Sequence, residues 1–284
     1  MERQLLHIFR NTPLGRELLL QSTYFCKTLG ITPVVYIPLY TKFLIYFTFD
    51  VVQVDLDNSY LQDPSTSRKH VQEIFEYQGM PEPDFLHTET FTAAGLPDLP
   101  SHFSFMCCPR SVSDLSTKIG LGYIGPKVRR LIQAAHFPVL LGSAVYKKWQ
   151  SITVLFGGSR NAIKALRLGL DLSRLSGLPL DVFTQEEGKQ KEEIYKKVIR
   201  DESLDKEMEE QVREWQVFKS KDFTVNLYRV PHDSLVILGA YGHGVIKELI
   251  FGSTMETVQT VLPNNLLIAG PNMNYRPEFP CFWQ

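Results

Sequence analysis

The hydrophobic positions of this chain follow two alternating patterns. Short, nearly continuous apolar runs, such as residues 5–9, 152–156 and 236–238, are typical of strands covered on both faces. Between these runs, apolar residues recur every three or four positions, which is the spacing of helices with one buried face. Strands that alternate with helices favour right-handed crossovers and a parallel sheet. The pattern therefore predicts an α/β fold.

The same order of elements occurs twice along the chain. Thr12 is placed to cap a helix after the first strand, and Ser159 is placed to do the same in the second half. Later, Gly125 and Gly252 each precede a further helix and strand. The interval from Thr12 to Gly125 is about twenty residues longer than the interval from Ser159 to Gly252. We expect most of this excess to form a strand-rich insertion at residues 40–57.

This repeat predicts two tandem, flavodoxin-like or Rossmann-like domains, at residues 1–147 and 151–284. In the first domain, Asp63 is expected to cap a helix that ends before Gly79. In the second, residues 187–215 mix both signs of charge with helical apolar spacing, which predicts helix with a solvated face. The alternation in residues 223–230 predicts the third strand of that domain.

Glycines after the fourth predicted strand of the second half have the spacing of an anion-binding loop. Gly239 and Gly242 follow the apolar run that ends at Leu238, and without Cβ atoms they permit a close approach of backbone to ligand. Gly252 and Ser253 precede the next predicted helix, whose free amides and dipole suit an anion. Each of these residues alone is an ordinary turn or cap residue. Their joint spacing between a strand and a helix predicts a phosphate cradle.

The spacing Gly239-x2-Gly242-x9-Gly252-Ser253 resembles the nucleotide-binding signature of the universal stress protein family. The resemblance implies a five-stranded, mainly parallel sheet flanked by helices in each domain, with the phosphates of ATP against the glycine loop. It implies ATP or a related adenine nucleotide, with or without Mg²⁺, as the cofactor of the second domain only. The residues that the resemblance assigns to the nucleotide are Gly157, Gly158, Ser159, Val182, Leu238, Gly239, Gly242, His243, Gly252, Ser253 and Thr254.

One departure from the family pattern concerns the adenosine portion of the ligand. Members with bound nucleotide usually present an Asp at the end of the first strand of the domain. Gly157 stands at that position in the second domain, and Arg10 stands there in the first. The charged acceptor is absent from both, which puts selection of adenine in question.

The first domain departs further. Residues 107–110 carry no glycine where the cradle has its pair, and Pro126, which has no amide to donate, replaces the serine. We therefore expect the first domain to have lost the site and to serve as a structural or regulatory partner. Arg110 and Lys118 could form a different anion site, although a solvated surface is the preferred interpretation.

Composition narrows the function classes. The 284 residues are 44% hydrophobic and carry 30 basic against 31 acidic side chains, so the net charge of -1 gives no electrostatic footprint for nucleic acid. Four cysteines without a CxxC pair indicate a reducing cytoplasm, and Cys107 and Cys108 are expected to be buried and inert. Residues 34–49 are too short and interrupted to span a bilayer, and residues 1–11 lack the features of a secretory signal. The histidine spacing predicts no metal site. We expect a cytoplasmic protein that binds neither membrane nor nucleic acid.

Three functions compete on these features. The leading hypothesis is a tandem universal stress protein whose domains pack as an intramolecular pseudo-dimer, with a further homodimer possible, and whose nucleotide serves sensing or protection rather than turnover. The second is an interaction module that binds no nucleotide. The third is a slow ATPase or an adenylating enzyme, because residues 156–159 superficially resemble the loop of ATP pyrophosphatases. No catalytic residue is assigned, and His243 is expected to contact phosphate or simply to lie exposed in the loop.

Overall fold

The computed structural model describes residues 3–48, 50–56, 63–88, 91–93, 95–110, 124–186, 192–219, 222–240 and 262–274. Within these residues the first half of the chain contains β1 (Gln4–Ile8), α1 (Pro13–Leu29), β2 (Thr32–Tyr36), β3 (Lys42–Tyr46), β4 (Val51–Asp55), α2 (Pro64–Gln78), β5 (Asp84–Phe85), β6 (Asp98–Leu99), β7 (Phe105–Cys108), α3 (Pro126–Ala134) and β8 (Val139–Leu141). The second half contains β9 (Ser151–Leu155), α4 (Arg160–Ser176), β10 (Leu180–Gln185), α5 (Glu192–Asp201), α6 (Asp205–Gln211), β11 (Val212–Phe218), α7 (Phe223–Leu227), β12 (Ser234–Gly239) and β13 (Leu266–Ala269).

Ten of these strands form one sheet in the order β11-β10-β9-β12-β13-β8-β7-β1-β2-β5. The five strands of each half of the chain lie together, and each set runs third, second, first, fourth, fifth from its outer edge inward. Pairing within each set is parallel, and the sets meet through the antiparallel pair β13 and β8. The predicted α/β fold with five mainly parallel strands in each half is therefore confirmed, and the two sets are joined in one ten-stranded sheet. The domain limits at 1–147 and 151–284 stay a prediction.

Buried polar side chains connect the two halves beside the central pair of strands. Gln21 on α1 donates through Nε2 to the Ser143 hydroxyl at 2.8 Å and accepts through Oε1 from Asn265 Nδ2 at 2.8 Å. The Oδ1 atom of Asn265 in turn accepts from the Ser143 amide at 2.8 Å. All three residues are buried, so these bonds satisfy polar groups that would otherwise be costly inside the protein.

Helix boundaries follow the predicted capping residues. Thr12 Oγ1 accepts from the Gly15 amide at 2.9 Å, and Asp63 Oδ2 accepts from the Thr66 amide at 2.9 Å. Three helices end at a glycine in the left-handed region, where an L side chain would be strained. These are Gly30 (φ 63°), Gly79 (φ 62°) and Gly177 (φ 70°).

The sheet has a buried core on each face. On one face, the strands pack against the apolar sides of α1, α4, α5 and α6. On the other, they pack against α3, α7 and the small sheet formed by β4, β3 and β6. Neighbouring strand residues alternate between these cores, as Val236 and Leu238 point to the second face while Leu235 and Ile237 point to the first. Both faces are covered, which explains the continuous apolar runs.

The predicted insertion in residues 40–57 forms the hairpin β3–β4. Its inner side chains, among them Phe43 and Ile45, are fully buried against the sheet. Ion pairs fasten its outer part to α3, with Lys127 Nζ 2.7 Å from Asp55 and Arg130 Nη2 2.8 Å from Asp50. The hairpin therefore covers the first half of the sheet on the face where α7 covers the second.

The third strand of the second half is not where the alternation placed it. Residues 212–218 form β11, whereas residues 223–227, predicted as strand, form α7. Asp222 Oδ1 accepts from the Val225 amide at 3.1 Å and so begins a helix there. β11 is an edge strand with exposed Arg213 and Glu214, and these charges continue the pattern of the preceding helices. This continuity made residues 212–215 resemble helix.

Candidate functional site

The topology defines a crevice at the carboxyl ends of β9 and β12. These strands are parallel neighbours, with Leu155 paired to Leu238. From β9 the chain proceeds through α4 to β10 on one side, whereas β12 is paired with β13 on the other. In an open α/β sheet, the point where the strand order reverses is the usual position of a ligand. The predicted glycine loop starts at this edge.

The end of β12 packs directly onto the start of α4. A Cβ atom on Gly239 would lie 2.3 Å from the carbonyl carbon of Asn161 and 2.6 Å from the amide of Ala162. Asn161 also donates from its side chain to the carbonyl of Ala240. Gly239 is therefore required for the contact between helix and strand, a role distinct from ligand binding. Leu238 is fully buried in the core on the α7 side.

The predicted residues Gly242, His243, Gly252, Ser253 and Thr254 lie outside the described residues.

The end of β9 presents Gly157, Gly158 and Ser159 at a partly exposed turn. Gly158 has φ 71°, and an added Cβ would lie 3.2 Å from the ring of Tyr195. The Ser159 hydroxyl accepts from the amide of Ala162 at 3.2 Å and caps α4. The turn thus supplies backbone and one capping hydroxyl, and Gly157 contributes no carboxylate.

The end of β10 is closed by hydrogen bonds between side chains and backbone. Val182, predicted to contact nucleotide, is fully buried in the body of the strand, as is Thr184, and Gln185 is the last residue of the strand. Gln185 Oε1 accepts from Asn226 Nδ2 at 2.7 Å, which joins β10 to α7. The indole of Trp215 donates to Thr184 Oγ1 at 2.9 Å.

The space beside these ends, on the α7 face, is almost filled. A cavity of about 10 Å³ remains there, which is roughly the volume needed for one water molecule. It is lined by Leu155, Phe183, Thr184, Gln185, Phe218, Phe223, Asn226, Leu227 and Val230. All six apolar side chains in this set belong to, or pack against, the buried core. The end of the crevice over β9 and β10 on this face is therefore largely filled by these side chains, which we call the plug.

The corresponding edge in the first half is built differently. Arg10 and Asn11 follow β1 and are largely buried. Asn11 Oδ1 accepts from Arg16 Nη1 at 3.1 Å and lies 2.8 Å from His70 Nδ1. Tyr36, at the end of β2, packs edge-on against Phe43 of the insertion with ring centroids 5.4 Å apart. In the first half, the insertion thus covers the position that corresponds to the candidate ligand site of the second half.

Arg110 corrects one expectation for this half. Its Nη2 donates to the carbonyl of Asn264 at 2.7 Å, and burial lowers the pKa of the guanidinium to about 10. The side chain therefore joins the two halves of the chain and is not part of a solvated surface. Lys118 lies outside the described residues.

Cys107 and Cys108 are buried, as expected. Burial raises the pKa of the Cys107 thiol to about 12 and raises that of Cys108 well above its usual value. Thiols that resist ionisation are poor nucleophiles and poor metal ligands. In the part of the chain that the structure describes, no group of three His, Cys, Asp or Glu side chains could hold a metal ion. The same residues include no helix with the length and apolar character needed to cross a membrane.

Comparison with solved structures identifies the fold. A universal stress protein from Archaeoglobus fulgidus aligns over 94% of this chain and 96% of its own, with 16% identity and a TM-score of 0.57. The fold is that of universal stress proteins. A protein described as a universal stress protein and a functionally unknown protein, both from Pseudomonas aeruginosa, align over 95% of this chain with TM-scores of 0.53 and 0.55 and identities of 13% and 11%. No protein-family model matches the sequence, and a search of curated proteins finds no match.

Sequence reasoning missed three contributors to the universal stress protein fold at this edge. These are Asn161, which ties α4 to β12, and the pair Gln185 and Asn226, which closes the end of β10. Gln185 carried a usable signal, because polar residues begin directly after Val182 and Phe183 in the sequence. Asn226 carried none, since it lay in a segment predicted as strand.

Proposed function

We propose that the second half of the chain binds ATP or a related nucleotide at the carboxyl ends of β9 and β12, and that this binding serves sensing or protection rather than turnover. The proposal includes two tandem domains packed as a pseudo-dimer, the second of which carries the site. It also includes a cytoplasmic location. The role follows the universal stress protein fold and the glycine signature together.

One observation supports the proposal above others. The signature begins at Gly239, and this residue ends β12 beside the end of β9, at the reversal of strand order. Ala240, which follows β12, lies at the edge of the sheet where the N-terminus of α4 also lies. A loop with the glycine spacing of a phosphate cradle starts at the position where an α/β sheet binds phosphates.

Isothermal titration of the full chain with ATP, with and without Mg²⁺, tests the proposal. We expect saturable binding with one site per chain, weakened at least about tenfold by Gly242→Val, because a side chain there would block the approach of phosphate. Ser253→Ala should weaken binding by a smaller factor through loss of one hydrogen bond. Ser176→Ala, at the opposite end of α4, is the matched control and should bind as the unaltered chain does. Absence of binding, or equal binding by Gly242→Val, would refute the proposal.

An interaction module without nucleotide is the second candidate. The plug over β9 and β10 favours it, because its cavity of about 10 Å³ is far smaller than the roughly 300 Å³ of ordinary ligand pockets. The same titration separates the two candidates. An interaction module would bind neither ATP nor any other phosphate compound, and Gly242→Val would leave every property except local stability unchanged.

A further inference from the structure

We propose that the outer edge of β11 and a groove beside it bind an extended peptide segment of another protein, one that carries a large apolar residue between two basic residues. β11 is the last strand at one end of the ten-stranded sheet. Its first residue, Val212, pairs with Leu180, the first residue of β10. The groove therefore lies toward the amino ends of the strands, whereas the proposed nucleotide site lies at the carboxyl ends. The two sites are independent of each other.

The backbone of β11 has one paired side and one open side. The Phe218 carbonyl accepts from the Glu186 amide at 2.9 Å, so the peptide groups of Phe218 point toward β10. Because peptide groups along a strand alternate in direction, those of Trp215 and Val217 point away from β10. No hydrogen bond to these outward groups is made in the described part of the chain. Residues 215–218 also carry no charge that would repel an added strand. This edge is a template for strand addition.

A groove with an apolar lining adjoins the same segment. It has a volume of about 310 Å³ and lies between α5, α6 and the first residues of β11. This is within the range of ordinary ligand pockets, roughly 300 Å³ and above. Its apolar residues are Ile199 and Met208, which are buried, and Val212 and Trp215, which are half-buried. The Trp215 indole is fixed by its bond to Thr184 Oγ1 at 2.9 Å. A large apolar side chain of an added strand can therefore pack against a preformed surface.

Two of the three cations that line the groove are already paired with carboxylates outside it. Lys196 Nζ lies 2.8 Å from Glu192 Oε1, and Arg213 Nε donates to Asp181 Oδ1 at 2.9 Å. The third cation is Arg200, which is exposed.

Carboxylates dominate the rest of the lining. Three exposed acidic side chains form no ion pair with any residue that the structure describes. They are Asp205, Glu209 and Glu214. One arginine stands against these three, so the groove favours a positively charged partner. Basic residues two positions to either side of the apolar residue would share its face of the strand and meet the carboxylates. A second copy of β11 does not supply this charge, because residues 212–218 contain one basic and one acidic residue.

Calorimetric titration of the full chain with a capped heptapeptide, Thr-Lys-Thr-Leu-Thr-Lys-Thr, tests the proposal. We expect saturable binding with a dissociation constant below about 1 mM, weakened at least about tenfold when both lysines are replaced by glutamate. Absence of saturable binding, or equal binding of the acidic peptide, would overturn the proposal.

Two methylated forms of the peptide test the pairing with β11. One is methylated on the backbone nitrogens of its threonines, and the other on those of its leucine and lysines, so each form blocks one edge of the same strand. We expect one form to bind at least about tenfold more weakly than the other, because only one edge of the peptide can pair with β11. Equal affinities of the two forms would contradict strand addition.

Variants of the chain locate the site. Val217→Pro removes an outward N–H and keeps the pairing with β10, so it should weaken peptide binding at least about tenfold. If circular dichroism shows that this variant does not fold, the two methylated peptides decide the question on the unaltered chain. Glu209→Lys should weaken binding at least about threefold through charge reversal. Glu210→Lys, one residue further along α6 and outside the groove, is the matched control and should bind as the unaltered chain does.

Sedimentation of the chain without peptide tests the competing occupant. A dimer that Val217→Pro dissociates would assign the edge to a second copy of the chain and overturn the proposal. ATP titration of the same variants should match that of the unaltered chain, so failure of peptide binding and failure of nucleotide binding are distinguishable.

Discussion

Acidification should destabilise the fold through one buried histidine. His7 lies in the middle of β1, is 2% exposed, and has Nδ1 2.9 Å from the Ser22 hydroxyl. Burial lowers its pKa from 6.5 to about 3. The folded protein therefore binds this proton less tightly than the unfolded chain does. As a result, the contribution of His7 to the free energy of unfolding is fully present above about pH 6.5, where the side chain is neutral in both states, and it is lost as the pH falls toward 3.

The size of the effect follows from the two pKa values. Between about pH 6.5 and pH 3 the unfolded chain holds one more proton at this site, so the free energy of unfolding falls by about 1.4 kcal/mol per pH unit. Between pH 7.5 and pH 5 the loss from His7 is about 2 kcal/mol. This is a large share of the stability of an ordinary domain.

Urea unfolding at a series of pH values measures this loss. The comparison is between the unaltered chain and His7→Asn, whose amide can still meet Ser22 but does not titrate. Other ionisable groups contribute equally to both proteins, so the difference between their unfolding free energies isolates His7. We expect that difference to shift by about 2 kcal/mol in favour of the variant between pH 7.5 and pH 5.

A difference between the two proteins that stays constant within about 0.5 kcal/mol over this range would refute the reasoning. It would mean that protonated His7 is accommodated in the folded protein, by water or by movement of α1 away from β1.

Three further predictions concern the packing of glycines, the hydrogen bonds between the two halves of the chain, and the buried thiols. Gly239→Ala should cost about 3 kcal/mol of unfolding free energy, because the new Cβ meets rigid backbone of Asn161, whereas Gly142→Ala should cost about 1 kcal/mol, because its Cβ meets the movable end of a leucine side chain. Gln21→Leu should lower the free energy of unfolding in urea by about 2 kcal/mol, since the buried side chain of Asn265 would lose its acceptor. A loss below about 0.5 kcal/mol would contradict the importance of the hydrogen bonds that Gln21 makes between the two halves of the chain. A thiol reagent at neutral pH should label Cys26, Cys107 and Cys108 only after unfolding, and rapid labelling of the native protein at these positions would show that the core opens.

Local chemistry made much of the fold predictable. Caps such as Thr12 and terminal glycines such as Gly79 act through the few residues next to them, so their roles can be inferred from short stretches of sequence. The apolar runs were recognisable because strands covered on both faces admit few polar residues. The insertion was predictable as a difference in spacing between the two halves.

Errors arose where an element depends on distant partners. β11 is held by its pairing with β10, and its outward charges carry no sign of that neighbour. α7 depends on the amide pair between Asn226 and Gln185, which are far apart in sequence. Arg110 appeared to be a surface residue because nothing near it in the sequence indicates the carbonyl of Asn264 that it binds. These contacts arise from tertiary structure, which local propensity does not encode.

The residues of the glycine signature do not all have the same physical explanation. Gly239 is explained fully by packing, since any side chain there would collide with the backbone of α4 whether or not a ligand binds. Its presence would therefore persist in a protein that had lost nucleotide, so the proposal depends on where Gly239 lies, at the reversal of strand order, and not on its being glycine. The remaining residues of the signature, Gly242, Gly252 and Ser253, lie outside the described residues, and the evidence that they give comes from their spacing in the sequence. If this edge carries a phosphate cradle, Gly242→Val should abolish nucleotide binding. Gly239→Ala should instead act mainly by lowering the free energy of unfolding.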